Sequence, residues 1–265
     1  MGAVLAVSVG AAWLLCRSSG REVREAVDVL EAVRSRGLGA RWPETSRADW
    51  FLVRADGRPV AWRAMARRRA QGADLPFVGA DVLVRPGLYQ ATETWALNAD
   101  ATAGSYSAAE RVAGERLRVD IVLADGQVTV TQQQGMIILR ASSPAPRNYL
   151  PEGLMQTVAA AVAERRTAAR FKLVFNERLN REGFVHFGWA LVADAGQGPA
   201  GARKVRLATS RAGADSGVIY EIAPDGRVAA IDTGDARWVR VGVEEVAAVF
   251  PDAPRRVQAL LGPAR

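Results

Sequence analysis

Residues 117–134 read LRVDIVLADGQVTVTQQQ. Strand alternation puts Val119, Ile121 and Leu123 on one face, opposite Val128 and Val130 of the next strand. Between them, Asp125-Gly126 offers the two residues that a tight hairpin needs at positive φ. The stretch is therefore a β-hairpin, and its grammar recurs along the chain. DWFLVRA and RPVAWRAMA flank Asp56-Gly57, and GVIYEIAP and RVAAIDT flank Asp225-Gly226. LYQATETWAL, GMIILRAS, AARFKLVFNERL, GFVHFGWALVA and ARKVRLATS read as further strands. About eleven strands in this spacing predict an antiparallel meander. QGADLPFVGADVLVRPG (71–87) and ADAGQGPAGA (193–202) read as loops.

One helix interrupts the strands. In NYLPEGLMQTVAAAVAERR (148–166), Pro151 suits a first helical turn, and Leu154, Val158 and Val162 form one stripe. So apolar a helix between strands covers a sheet face, with Arg165 and Arg166 at its negative C-terminal end. Upstream, REVREAVDVLEAVRSR (21–36) spaces Val23, Val27, Leu30 and Val33 helically. VEEVAAVF and RRVQALL close the chain as short helices.

The first sixteen residues, MGAVLAVSVGAAWLLC, carry no charged side chain, and Arg17 follows them. Spanning a bilayer takes roughly 17–25 residues, which Ser18, Ser19 and Gly20 complete. Ser18-x-Gly20 makes a poor cleavage site with Arg17 beside it, so a retained anchor is the expectation. Residues 1–20 are then the membrane anchor, 21–48 a helical stalk and linker, and 49–265 a β-rich domain. The fold class expected is mainly β (α+β): a curled antiparallel sheet or half-barrel with an inner helix, preceded by an N-terminal transmembrane helix. The placement expected is a single pass through a bacterial inner membrane, with the domain on the periplasmic side.

The formal net charge of +7 is concentrated early. Residues 1–70 hold 13 arginines against 7 acids, and Lys172 and Lys204 are the sole lysines. A basic region beside an apolar anchor suits an anionic lipid surface. No stacking aromatics interleave with Arg67, Arg68 and Arg69, so nucleic acid is not expected as a partner. Trp13, Arg17, Trp42, Trp50 and the Arg67–Arg69 run are the candidates for membrane or partner contact, while most other tryptophans belong to a core.

Catalytic chemistry is sparse. His186 and Cys16 are the only residues of their types, which by count excludes a zinc site of His and Cys ligands. No G-x-S-x-G elbow accompanies His186, and Gly196-Gln-Gly198 fits neither nucleotide signature. Glu244-Glu245 reads as the solvated face of a helix, and Asp232 and Asp235 flank a turn at Gly234. No catalytic residue, metal ligand or cofactor is therefore assigned.

The order of WFLVRADGRPVAWRAMARRR, long strands, then APRNYLPEGLMQTVAAAVAERR resembles periplasmic half-barrel domains similar to the bacterial lipoprotein-carrier fold. Trp50 with Gly57 and Pro151 with Leu154 fill the matching places, over roughly residues 49–235. The resemblance implies a curled sheet wrapped around a helix, and it brings no catalytic residue. The chain departs from that group in its apolar N-terminal stretch. Three functions follow as expectations. The first is a non-enzymatic accessory or scaffolding subunit of a larger membrane complex, photosynthetic or respiratory among the hosts, with membrane lipids and other membrane-protein subunits as partners. The second is binding of a lipid or lipoprotein acyl chain, an apolar ligand, on a face formed by Phe171, Leu173, Phe175, Val185, Phe187 and Trp189. The third is a carboxylate-based hydrolase, which requires acids converging beside a cleft.

Overall fold

The structure is a computed structural model that describes residues 20–40, 42, 46–112, 115–179, 185–210 and 217–261. One antiparallel sheet of 14 strands dominates it. The first meander runs β1 (Arg47–Ala55), β2 (Arg58–Arg69), β3 (Phe77–Arg85), β4 (Tyr89–Leu97), β5 (Gly104–Val112), β6 (Glu115–Ala124), β7 (Gln127–Gln134) and β8 (Ile137–Pro144). The second runs β9 (Ala168–Leu179), β10 (Val185–Gln197), β11 (Arg203–Thr209), β12 (Val218–Ile222), β13 (Val228–Asp232) and β14 (Arg237–Val241). The two join where β1 pairs with β14, with Trp50 opposite Val241. β8 and β9 are thus the sheet's edges, and the sheet is not closed.

The hairpin at Asp125-Gly126 has the expected register, Leu123 opposite Val128 and Ile121 opposite Val130. Asp56, Gly57, Asp125 and Gly126 all have φ between 49° and 77°, the geometry that matches strand twist in two-residue hairpins. The third Asp-Gly differs. Only Gly226 is left-handed, and Ala223 and Arg227 close a longer turn. All eleven expected strands form, together with β3, β5 and β14. The stretch read as a loop over 71–87 contains β3, whose Gly79 and Asp81 disguise it, because both types are depleted in strands.

Helix α1 (20–36) and helix α2 (Met155–Arg165) fill the inner face. α2 packs over β10, β11 and β12, burying Leu154, Val158 and Val162 as the stripe predicted. Arg166 ends it in the left-handed conformation, φ 50°. α1 is not a stalk. Ala26, Val29, Leu30 and Val33 join the same core as Phe51, Phe171 and Trp238. The buried stripe is rotated from the expected one, with Ala26 and Val29 in the places of Val23 and Val27, while Glu22 and Glu25 pair with Arg170 and Arg165 at 2.7 and 3.0 Å. A second core covers the outer face of β1–β3, where α3 (Val243–Ala247) and α4 (Ala253–Leu261) lay Val246, Val257 and Leu261 over Trp50, Leu52 and Trp62.

The sheet curls until β8 approaches β9 and the start of β10, where the Val185 amide donates to Ser143 Oγ at 3.0 Å. The edge of β9 is covered by residues 148–150. Leu150 donates to the Lys172 carbonyl and Lys172 to the Asn148 carbonyl, both at 2.9 Å. The anchor expected over residues 1–20 lies almost wholly outside the described residues. No helix among the described residues is long and apolar enough to cross a membrane.

Candidate functional site

The residues expected to line an apolar ligand site are packed. Phe171, Leu173 and Val185 lie in the inner core with Leu154 and Val158, and Phe187 meets Tyr149 edge-on at 5.8 Å. Trp189 turns to the opposite face, where the Arg170 guanidinium sits 4.7 Å from its ring. The irregularity between Val185 and Phe187 breaks the alternation that put Val185 on one face with Phe187 and Trp189. The side chain of Phe175 lies outside the described residues. The chain's own helix α2 thus packs against the Phe171, Leu173 and Val185 part of the expected ligand face.

The contact residues also scatter. Trp13 and Arg17 lie outside the described residues. Trp50 is buried on the outer face, 6.0 Å from Trp62. The run Arg67–Arg69 forms no patch, because alternation sends Arg68 to the side opposite its neighbours. Arg69 instead ties down the chain before β1, donating to the Gly39 carbonyl and, at 3.2 Å, to that of Trp42. Trp42 is buried, and its Nε1 donates to the Arg68 carbonyl at 3.1 Å.

Arg67 and Trp42 do meet, in a cleft that the sequence left unannounced. At the end of the sheet where β1 begins and β2 ends, a cleft of about 600 Å³ opens between α1, α2 and the β12–β13 turn. Its walls carry Arg36, Arg47, Arg67 and Arg227 against Asp49, Glu164 and Asp225. Asp49 is buried and accepts from Arg227 Nε at 2.9 Å, with Arg47 at 3.8 Å. Burial raises its pKa, opposed by Arg47 and Arg67. Arg36 faces Glu164 at 3.6 Å. The Arg67 guanidinium lies 5.6 Å from the Trp42 ring and donates to Gln156 Oε1. Burial lowers its pKa, opposed by Asp49 and reinforced by Arg47.

A charged network lies inside the sheet. Arg63 grips Asp81 through Nε at 2.9 Å and Nη2 at 2.6 Å. Glu93 stands opposite Asp81 across the β3–β4 pair. Its pKa is pushed up to about 7, first by burial and then by Asp81, with Arg63 and a hydrogen bond to Tyr106 opposing. Glu152, which accepts from the Tyr149 hydroxyl at 3.0 Å, is likewise pushed up to about 7 by burial. Among the described residues no group of His, Cys, Asp and Glu is arranged to hold a metal ion. Asp81 and Glu93 do not border the cleft described above.

Beyond the inner face, the β7–β8 hairpin projects. Residues 133–140 are exposed throughout, and they include Met136 at 98%, Ile137 and Ile138 at 64% and Leu139 at 38%.

These features define an open, curled antiparallel sheet with inner helices and a basic cleft at one end. No family model matches the sequence, and no curated protein matches it. Among solved structures, the chain is similar to a beta-barrel-like protein of a domain of unknown function, DUF1849, from Brucella abortus. The identity is 14%, the match covers 74% of this chain and 95% of that one, and the TM-score is 0.48.

Proposed function

We propose that the chain is a non-enzymatic accessory subunit of a larger membrane complex, held by residues 1–20 at a bacterial inner membrane with the sheet on the periplasmic side. The observation that carries this reading is the β7–β8 hairpin. Four consecutive large apolar residues, Met136 in the turn and Ile137–Leu139 on β8 at the sheet's edge, stand in solvent. Such an edge offers unpaired backbone groups together with apolar surface, which favours pairing with another chain. The uncharged stretch 1–16 supports a membrane location. A binding role is favoured over carboxylate catalysis because Arg63 already grips Asp81 beside Glu93. The lipoprotein-carrier resemblance enters only as the curled sheet around a helix, since the concave face is packed.

The test is purification of the tagged full chain in mild detergent, followed by identification of what co-purifies. An Ile137→Glu/Ile138→Glu variant should lose the partner while melting within about 1–2 °C of the parent, because exposed substitutions shift stability little. A monodisperse monomer without partner, or a partner retained by the variant, sinks the reading.

A further inference from the structure

We propose that the arginine-lined cleft binds a singly charged oxyanion, a carboxylate or a phosphodiester, carried on an apolar group. The proposal stands apart from the subunit reading and uses the opposite end of the sheet.

The charges of the cleft leave one guanidinium over. Asp49 takes Arg227 and Arg47, and Glu164 takes Arg36. The Asp225 carboxylate accepts the Arg227 backbone amide at 2.9 Å. Arg67 is left with a neutral amide, Gln156, and the face of Trp42; among the described residues it forms no ion pair. The Arg67 guanidinium is partly buried, and the acid that opposes the effect of that burial, Asp49, already pairs with Arg227 and Arg47, so the guanidinium is under-compensated in the ligand-free fold. An oxyanion accepts two parallel N–H donors from such a group, a fit specific to carboxylates and phosphates.

Thr157 gives a second, independent sign. It borders the same cleft, is 3% exposed, and among the described residues its Oγ1 has no hydrogen-bond partner. A buried hydroxyl without a partner costs about 1–3 kcal/mol. Thr157 of α2 and Arg67 of β2 line the same cleft, and the proposed oxyanion takes a donor from each. The remaining wall selects the body of the ligand. Trp42, Met65 and Ala160 present ring, thioether and methyl surface. The volume of about 600 Å³ falls within the usual span for small-molecule sites.

The chemistry has two sources, a free organic acid or the headgroup of an anionic lipid. Calorimetric titration of the full chain in nonionic detergent separates them. The probes are benzoate and dihexanoylphosphatidylglycerol, with benzamide and dihexanoylphosphatidylcholine as controls lacking net charge. At least one anionic probe should bind, about tenfold or more tighter than its control. Arg67→Met should weaken that probe about tenfold or more, and Thr157→Val several-fold. Binding by benzoate alone identifies a free acid, and by the phosphatidylglycerol alone a lipid headgroup. Arg67→Gln, which keeps a polar group toward Gln156, replaces Arg67→Met if the latter fails to fold. The proposal is overturned if neither anionic probe binds, or if binding survives both the Arg67 and Thr157 substitutions.

Discussion

Trp95 organises the interior through two residues that have no side chain. A Cβ added to Gly79 on β3 would stand 2.3 Å from the indole, and one added to Gly153 ahead of α2 would stand 2.1 Å from it. Real carbon contacts do not close to such distances, so these glycines answer to space and not to backbone freedom. The chain lays β3 on one side of the ring and the entry to α2 on another, which fixes where the helix meets the sheet. Gly153→Ala should therefore destabilise the protein by about 1–3 kcal/mol, as overpacking does. Urea unfolding would show a lowered midpoint at unchanged slope, and a parental midpoint would refute the packing argument. The same residue explains a blind spot. Gly79 beside Asp81 made β3 look like a loop, although the glycine is there for Trp95 and the aspartate for Arg63. Arg67 and Trp42 were legible as unusual residues in the sequence, yet as an exposed patch. Their meeting depends on β2, the chain before β1, and α2 converging, which no spacing along the chain encodes.

The elements that could be read locally were those that carry their own turn chemistry. Asp-Gly pins register within a few residues, so the hairpins at 56–57 and 125–126 formed as expected, and 148–166 announced α2 by its stripe. The pairing of β1 with β14 and the burial of α1 were not legible, because both depend on partners far along the chain. The covering of β9 is of the same kind. Residues 148–150 lie against the edge of β9, and Asn148 Nδ2 donates to the Arg170 carbonyl at 2.9 Å. This cover satisfies backbone groups that an edge would otherwise expose. Among the described residues, β8 has no such cover along its projecting end. Asn148 is 7% exposed, so removing its amide leaves the Arg170 carbonyl without that donor and with little room for water in its place. Asn148→Ala should cost about 1–3 kcal/mol and speed hydrogen exchange at the Lys172 and Leu150 amides. Unchanged exchange there would mean that the side chain does not hold the cover in place.

At the scale of the whole molecule, the sheet separates two cores but hides charge in the inner one, and this gives the fold a pH dependence. Glu93 and Glu152 are each pushed up to about 7 from an ordinary 4.5. Between those values the folded chain holds protons that the unfolded chain has lost. Stability from these two groups is therefore complete below pH about 4.5, falls as pH rises through the window, and levels off above about 7. Asp100 and Asp235 act oppositely, their pKa values lowered by hydrogen bonds from Thr102 and Thr233. Their stabilisation is lost only as pH falls below the ordinary aspartate value, so the two effects occupy separate windows. Unfolding free energy from urea titrations should drop between pH 5 and pH 8 by on the order of 1 kcal/mol per glutamate, allowing for the partial exposure of both. Glu93→Gln and Glu152→Gln should each remove part of that slope, and together nearly all of it. The glutamines fix the neutral form, so the variants should match the parent near pH 5 and exceed it near pH 8. A parent profile that is flat or rising across this window, or a slope that survives both substitutions, would show that the buried carboxylates are not what couples this fold to protons.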